Sequence, residues 1–202
     1  MMAKSGKFRH AVQVLVMFHC MLRIGEAVNL RQRDIALPHQ GRFGASSPSI
    51  ISCIRIAKAK TGTNQSVSIT DTHVQALLQY LLATHPVGDN DPLFQSTSDQ
   101  FTSSFRSACT ALGIGDCGFV PHSCRHGGAT LAHVNGMSIE QIMLRGRWKS
   151  NDSCRRYIQT RQAVLLTVDL PQSVHDLGRD MASDLASNLI RVHNAWLLAR
   201  AN

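Results

Sequence analysis

"VPHSCRHGGAT", residues 120–130, places His122 and Arg125 three positions apart, with two glycines directly behind them. Side chains at i and i+3 of a helix lie on the same face, so a helix that begins here would present both groups together. Arginine and protonated histidine both bind anions. The spacing alone is weak evidence, because the same short motif recurs from His39 to Arg42. The pair therefore gains meaning only from the rest of the sequence.

The composition predicts a basic, globular protein. The 202 residues are 44% hydrophobic, which is enough for one domain core with or without an appendage. Lys and Arg number 21 against 13 Asp and Glu, so the net charge is +8, although charged residues make up only 17% of the chain. This excess favours a polyanionic partner, nucleic acid before a membrane surface, because sequence-independent binding to phosphates depends on Lys and Arg.

The cysteines and the apolar runs indicate an intracellular protein. The six cysteines form no C-x-x-C pair and no zinc-ligand spacing, so we expect small core residues in a reducing compartment, with no structural metal. The apolar run at residues 11–22 is interrupted by Gln13 and His19, and no cleavage pattern follows it. We expect neither a signal peptide nor a membrane span. The compartment would be the nucleus in a eukaryote, or the cytoplasm or nucleoid in a bacterium or phage.

Hydrophobic periodicity predicts a mainly helical domain with a small sheet. Helices are predicted at residues 8–20, 25–31, 71–83, 98–112, 121–135 and 154–160, and a capping box at Ser138 and Gln141 predicts one more short helix. The runs "IISCIRIAKAK" and "QSVSIT" flank "TGTN" and predict a hairpin, whereas residues 38–49 predict a loop. We expect a mainly α (α+β) fold, with a multihelical domain at 1–170, a small antiparallel β-sheet or hairpin, and a helical tail at 171–202.

The tail is predicted to be one continuous helix over residues 174–199. Apolar residues recur along one face of it: Leu177, Met181, Leu185, Leu189, Val192 and Trp196. This stripe could pack on the domain's own core or dock on a neighbouring protomer. The sequence leaves both alternatives open.

A set of scattered polar residues could bind and attack a phosphodiester. Fixed guanidinium donors stabilise the extra negative charge of its transition state without a metal, a phenol can form a covalent intermediate, and a lysine can protonate the leaving oxygen. The candidates are Arg23 between two helices, Lys58 and Lys60 at the hairpin, His122 with Arg125, and Tyr157 after a basic stretch.

Three segments resemble the tyrosine recombinases, also called the phage integrase family. "MLRIGEAVNLRQRDI" (21–35) is similar to the first box of that family, "PHSCRHGGAT" (121–130) to the second, and "RGRWKSNDSCRRYI" (145–158) to its end. The resemblance spans residues 8–158 and depends on the order and spacing of the boxes. It implies a catalytic domain that cleaves and rejoins DNA through a 3′-phosphotyrosine intermediate, as a dimer or tetramer on DNA, with no cofactor and no metal.

The resemblance also implies roles for individual residues. Arg23 and Arg125 would bind the non-bridging oxygens of the scissile phosphate, His122 would contact the same phosphate and assist proton transfer, and Tyr157 would attack the phosphorus. Glu26 would orient Arg23 or the neighbouring histidine at 126, which itself would pack structurally.

Two positions keep alternatives. Lys60 matches the hairpin lysine of the family in its "KTG" context, but Lys58 lies on the same strand face and could take the role. Trp148, nine residues before the tyrosine, occupies the position usual for His or Trp, and its indole N–H can donate to a phosphate oxygen. Arg147, directly after Gly146, is the weaker candidate for that position.

The sequence departs from the family pattern in three ways. Met21 stands where glycine is usual before "LR", and the turn that carries the tyrosine is one residue longer than in some relatives. Family members generally carry an N-terminal helical domain that grips the other face of DNA, whereas this sequence begins at the catalytic domain. Either that domain is missing from this piece or the natural protein lacks it, and we expect weaker and less selective DNA binding from this half alone.

Other classes of protein account for part of the pattern. Residues 128–150 could form a helix-turn-helix motif that binds in the DNA major groove. Alternatively, the protein could be derived from an integrase and retain DNA binding without catalysis. A helix-turn-helix module has no use for Arg23, the hairpin lysine or Tyr157. A type IB topoisomerase uses nearly the same residues but has other surrounding domains.

Overall fold

The computed structural model describes residues 1–37, 52–59 and 62–201, without the side chains of residues 58 and 59. Most of this part of the chain is helical, as predicted. The predicted loop at residues 38–49 lies outside it. The helices are α1 Phe8–His19, α2 Ile24–Val28, α3 Thr72–Thr84, α4 Ser98–Ala111, α5 Ser123–Val134, α6 Ile139–Gly146, α7 Asn151–Arg155, α8 Thr160–Asp169, α9 Gln172–Ala182 and α10 Leu185–Ala201.

A small antiparallel sheet lies beside the helices. Its strands are β1 Ile35–Ala36, β2 Cys53–Ala59 and β3 Gly62–Ser68, in the order β1-β2-β3. The predicted hairpin is confirmed, but β3 begins earlier than predicted, because Gly62 already pairs with Ala59 and residues 63–64 belong to β3. Strand β1 was not predicted, since two residues are too short for an alternating pattern.

Helix α1 lies at the centre of the core, as its nearly all-apolar surface predicted. Phe8, Val12 and Val16 are almost fully buried, and α1 contacts α2, α3, α4 and α5. Burying apolar area is the main favourable term in folding, so this helix organises the elements that carry the candidate site.

The capping box at Ser138 is confirmed. The Ser138 side chain accepts a hydrogen bond from the Gln141 backbone N–H at 3.3 Å, and the Gln141 side chain accepts one from the Ser138 N–H at 3.0 Å. This reciprocal pair starts α6 at Ile139, directly after a glycine turn that closes α5.

The region around Tyr157 differs from the prediction of a helix at 154–160. Helix α7 begins earlier, because the Ser150 side chain accepts a hydrogen bond from the Ser153 N–H at 3.3 Å, and it ends at Arg155. Tyr157 therefore lies in the turn between α7 and α8. Helix α8 was missed, because its apolar side chains Val164, Leu165 and Val168 are exposed and form no regular buried stripe.

The prediction of one continuous tail helix is also wrong. The tail forms α9 and α10, and the break falls beside Asp184, whose carboxylate accepts a hydrogen bond from the Ser187 N–H at 3.1 Å. Such local side-chain to backbone bonds favour a helix start over a helix interior. Asp184 therefore divides the apolar stripe between two helices.

Helix α10 packs on the core of its own chain. The His193 ring stacks on Phe8 with centroids 4.3 Å apart, and the Tyr80 hydroxyl donates to the Asn194 side chain at 2.6 Å. The Trp196 ring covers Gly6, where a Cβ atom would lie only 2.2 Å from it. None of the helices in the described ranges is both long and apolar enough to cross a bilayer.

Helices α1 and α5 approach so closely that only glycine fits at position 128. A Cβ atom there would lie 2.0 Å from the Phe18 carbonyl oxygen, which belongs to the backbone and cannot rotate away. We expect Gly128→Ala to lower the free energy of unfolding by about 3 kcal/mol, measured by urea denaturation. The control is Gly178→Ala in α9, where a Cβ meets nothing within 4 Å and the change should be neutral or slightly stabilising. Equal effects of the two substitutions would contradict the close approach.

Buried histidines make stability depend on pH. His193 is 2% exposed, and its Nε2 atom lies 3.3 Å from Nε2 of His85. Burial lowers the pKa of both rings below the ordinary 6.5. The second cause is the charge of His85 for His193, and the charge of Arg9 for His85. The unfolded chain therefore takes up protons first as the pH falls, so the free energy of unfolding decreases from pH 6.5 downward until the folded histidines also titrate.

The test compares thermal unfolding at about pH 7.5 and about pH 5.5, on either side of the ordinary histidine pKa. We expect His193→Phe, which keeps an aromatic ring between its neighbours, to reduce the loss of stability at the lower pH. His133→Gln, at an exposed position, should leave that loss unchanged. An unaltered pH dependence in His193→Phe would show that His193 does not contribute.

Candidate active site

Arg125 connects the three sequence segments of the candidate site. Its side chain, on the first turn of α5, is fully buried. One terminal nitrogen, Nη1, donates to the Met21 carbonyl before α2, and the other, Nη2, donates to the Gly146 carbonyl at the end of α6. The guanidinium therefore lies where the predicted boxes meet, although they are far apart in sequence.

The backbone at Met21 explains why glycine is usual there. Its φ angle is +51°, in the left-handed region that favours glycine, and its side chain is 1% exposed. A non-glycine residue in this region costs about 1 kcal/mol. Burial of the methionine side chain offsets this cost, and the same turn directs the Met21 carbonyl toward Arg125.

Arg23 and Glu26 form one side of the site. Arg23 precedes the first turn of α2, and its Nη1 donates to Glu26 Oε1 at 2.9 Å, while its backbone N–H donates to Oε2 at 2.9 Å. The Glu26 side chain is 4% exposed, whereas that of Arg23 is 22% exposed. The buried carboxylate of Glu26 thus holds the partly exposed guanidinium of Arg23.

Arg147 is also part of this cluster. Its Nη2 donates to Glu26 Oε2 at 2.6 Å, and its Nη1 donates to the Arg145 carbonyl at 3.3 Å. The Arg147 side chain is 4% exposed. From the sequence, Arg147 is only the weaker alternative to Trp148, and Glu26 is expected to orient Arg23 or the histidine at 126. The structure places Glu26 against Arg23 and also against Arg147, which comes from the turn after α6.

Two aromatic rings cover the Arg125 guanidinium. Its carbon lies 4.3 Å from the centroid of the Trp148 ring and 5.4 Å from that of the Tyr157 ring, and the two rings are 4.8 Å apart. Both distances are within the range of cation–π attraction. Trp148 is 8% exposed, so the site is closed over Arg125 in this structure.

Tyr157 lies against the second box. The phenolic oxygen is 3.2 Å from His122 Nε2, and the ring stacks on His126 with centroids 4.4 Å apart. Thr130 Oγ1 accepts a hydrogen bond from the Gln159 N–H at 2.9 Å and so fixes the turn on α5. The stacking of His126 on the phenol was not predicted, because the sequence shows adjacency to His122 but not the path of the later turn.

The predicted lysine cannot be placed in the same way. Lys60 lies outside the described residues. The backbone of Lys58 pairs with Thr63 in the ladder between β2 and β3, but its side chain is outside the described part. The choice between the two lysines stays a prediction.

The charges of the site favour an anion. In the described part of the chain, Arg23, Arg125 and Arg147 face one carboxylate, Glu26, which leaves an excess of two positive charges. Burial, followed by the charges of Arg23 and Arg147, lowers the pKa of Arg125 to about 10, so that it stays charged at neutral pH. Burial, followed by the effects of the neighbouring histidine and arginines, lowers the pKa of His122, which favours its neutral form.

Several buried donors of the cluster lack a partner among the described residues. They are Arg125 Nε, Arg147 Nε and Trp148 Nε1. An unsatisfied buried donor is costly, so such groups indicate a missing acceptor. The same ranges contain no group of three or more His, Cys, Asp or Glu side chains suited to a metal ion.

Comparisons with known proteins identify the family and the fold. The sequence matches the phage integrase family over residues 1–163, and no curated protein matches the chain. XerA recombinase has a similar structure, with a TM-score of 0.62, 22% sequence identity, and coverage of 84% of this chain and 60% of that one.

Two DNA complexes are also similar. XerH site-specific recombinase bound to its difH substrate, in a pre-cleavage complex, gives a TM-score of 0.59 at 19% identity, with coverage of 80% of this chain and 45% of that one. The Tn1549 transposon integrase in complex with circular intermediate DNA gives a TM-score of 0.53 at 13% identity, with coverage of 78% of this chain and 57% of that one. This chain therefore spans about half the length of these proteins.

The fold and the family match define a tyrosine recombinase catalytic domain. The chain belongs to the phage integrase family.

Proposed function

We propose that this chain is the catalytic domain of a site-specific DNA recombinase that cleaves and rejoins strands through a covalent 3′-phosphotyrosine intermediate. The observation that carries the proposal is the Tyr157 hydroxyl, 3.2 Å from His122 Nε2 and beside the buried guanidinium of Arg125. A nucleophile and a base within hydrogen-bond reach, next to fixed cationic donors, are the parts that phosphoryl transfer at a phosphodiester needs.

The proposed chemistry uses side chains alone. Tyr157 Oη attacks the phosphorus, and neutral His122 accepts the phenolic proton through Nε2. The bond from phosphorus to the deoxyribose 5′-oxygen breaks, and Lys60 protonates that oxygen. Arg23 and Arg125 bind the non-bridging oxygens. Attack by the 5′-hydroxyl of another strand reverses these steps and releases the phenol, so the energy of the phosphodiester bond is conserved.

Phosphate binding requires the closed site to open. Both terminal nitrogens of Arg125 donate to backbone carbonyls, and the Trp148 and Tyr157 rings cover its face. A phosphate would replace one carbonyl acceptor while both rings move aside, and Trp148 Nε1, which is buried without a partner among the described residues, would then donate to a phosphate oxygen.

DNA is the proposed partner, bound by a dimer or tetramer of the protein. The net charge of +8 supports it, since neutralised phosphates release counterions. The XerH and Tn1549 integrase complexes contain DNA, which supports the same partner for this chain.

The test works without a defined target site. The protein is incubated with a pool of nicked DNA duplexes whose central sequence is randomised, and the products are separated on a denaturing gel. We expect a covalent protein–DNA band that persists in EDTA, and sequencing of the trapped DNA would then give the preferred site. Binding of the pool with no covalent band at any protein concentration would overturn the enzymatic proposal in favour of a DNA-binding protein without catalysis.

A further inference from the structure

The turn after α6 contains an arginine in a backbone conformation that usually belongs to glycine. Arg147 has φ +58° and ψ +42°. Its N–H donates to the Leu144 carbonyl at 3.2 Å, and the Trp148 N–H donates to the Met143 carbonyl at 3.0 Å. This pair of bonds is the Schellman helix end, in which the left-handed position is usually Gly and sometimes Asn. A strained arginine at this position suggests that its side chain has a function.

That side chain is buried in the site and does not extend into solvent. It is 4% exposed and bridges to Glu26, which is also 4% exposed, across 121 positions of sequence. A lone buried carboxylate–guanidinium pair adds little net stability once desolvation is counted. Here the carboxylate has two guanidinium partners, because Glu26 Oε1 also accepts from Arg23 Nη1. Glu26 is therefore shared between one buried and one partly open arginine.

This sharing determines how Arg23 is bound. A carboxylate that faces one arginine commonly binds it by two parallel hydrogen bonds, which would occupy two donors of Arg23. Because Arg147 binds Oε2, Glu26 holds the Arg23 side chain through Nη1 and Oε1, while Oε2 also accepts the Arg23 backbone N–H. Arg23 is thereby fixed at its backbone and at one end of its guanidinium, and its side chain stays 22% exposed.

We propose that Arg147 is a positioning residue for strand cleavage, which binds Glu26 so that Glu26 holds Arg23 in the orientation that receives the scissile phosphate. Arg147 does not touch the phosphate in this proposal. The inference rests on the proposed recombinase function. It extends that function to a residue whose contribution passes through Glu26 and Arg23.

The decisive variant is Arg147→Gly. Glycine suits the left-handed conformation, so the helix end is retained while the side chain is lost. We expect covalent attachment to the DNA selected by the wild-type protein to slow by about 10- to 100-fold, the scale of a small misplacement of a catalytic group. DNA affinity should change by less than about threefold, and Arg147→Lys should restore part of the rate. A rate within about threefold of wild type would overturn the proposal.

A double-mutant comparison shows whether the effect passes through Glu26. In a Glu26→Gln background the carboxylate charge is gone, so adding Arg147→Gly should cause little further loss. Full additivity of the two substitutions would overturn the positioning role. The matched control is Arg179→Ala, which removes a surface arginine paired with Asp176 and should leave the rate unchanged.

One readout does not depend on catalysis. Arginine side-chain ¹⁵N NMR reports whether a guanidinium is held or rotates, and the Arg23 signal can be assigned by Arg23→Lys. We expect separate, slowly exchanging Nη signals for Arg23 in the wild-type protein and averaged signals in Arg147→Gly. Unchanged Arg23 signals would overturn the proposal even if cleavage slows. A wild-type protein that forms no adduct would instead overturn the proposed recombinase function, and the NMR result would still show whether Arg147 orders Arg23.

Discussion

Tyr157→Phe is expected to lower the rate of covalent attachment of the protein to DNA by about 10⁴-fold or more, because it removes the proposed nucleophile. The phenyl ring can still stack on His126 and against Trp148, so the fold and the DNA affinity should change little. The measurement is the covalent band formed with the DNA selected by the wild-type protein, together with a gel-shift titration of binding.

The chain offers a matched control for this substitution. Tyr80 is its only other tyrosine, and the Tyr80 hydroxyl donates to Asn194 on α10, away from the candidate site. Tyr80→Phe should leave the yield of adduct unchanged. An adduct that survives in Tyr157→Phe would remove Tyr157 from the role of nucleophile.

Arg125→Ala is expected to slow cleavage by about 100-fold or more, the effect of losing a preorganised donor to the transition state. The substitution also removes the hydrogen bonds to the Met21 and Gly146 carbonyls, so the free energy of unfolding falls and a smaller fraction of the protein is folded. Rates must therefore be compared per folded protein, with the folded fraction measured by circular dichroism at the assay temperature.

Arg125→Lys separates charge from geometry. Lysine keeps the positive charge but cannot donate to two oxygens in the planar arrangement of a guanidinium, so we expect a loss of rate close to that of Arg125→Ala. Arg200→Ala serves as the control, since Arg200 also stacks on a tryptophan ring, Trp196, but lies at the end of α10. A loss below about threefold for both Arg125 variants would mean that this arginine only packs.

Much of the fold could be predicted because local signals are strong. The apolar surface of α1, the hairpin of β2 and β3 and the capping box at Ser138 all follow from periodicity or from side chains that bond to nearby backbone. The errors fall where a short polar residue decides a boundary. Ser150 starts α7 ahead of the predicted Cys154, and Asp184 breaks the tail although the apolar pattern continues past it.

The candidate site was only partly visible in the sequence. The order of the boxes pointed to Arg23, His122, Arg125 and Tyr157, and the structure brings these side chains into one cluster. Arg147 was underestimated, because nothing in its local sequence shows that its backbone is left-handed or that its side chain turns inward to Glu26. Lys60, predicted from its place at the hairpin, lies outside the described residues.

Local sequence is enough to identify candidate side chains for the chemistry and the buried faces of helices, because each box and each apolar stripe lies within a short segment. The partners that those side chains contact depend on the tertiary structure. Arg125 bonds to carbonyls 104 and 21 positions away, and Glu26 bonds to an arginine 121 positions away. Such contacts depend on the packing of α1, α5 and α6 against one another, and no local pattern records how closely those helices approach.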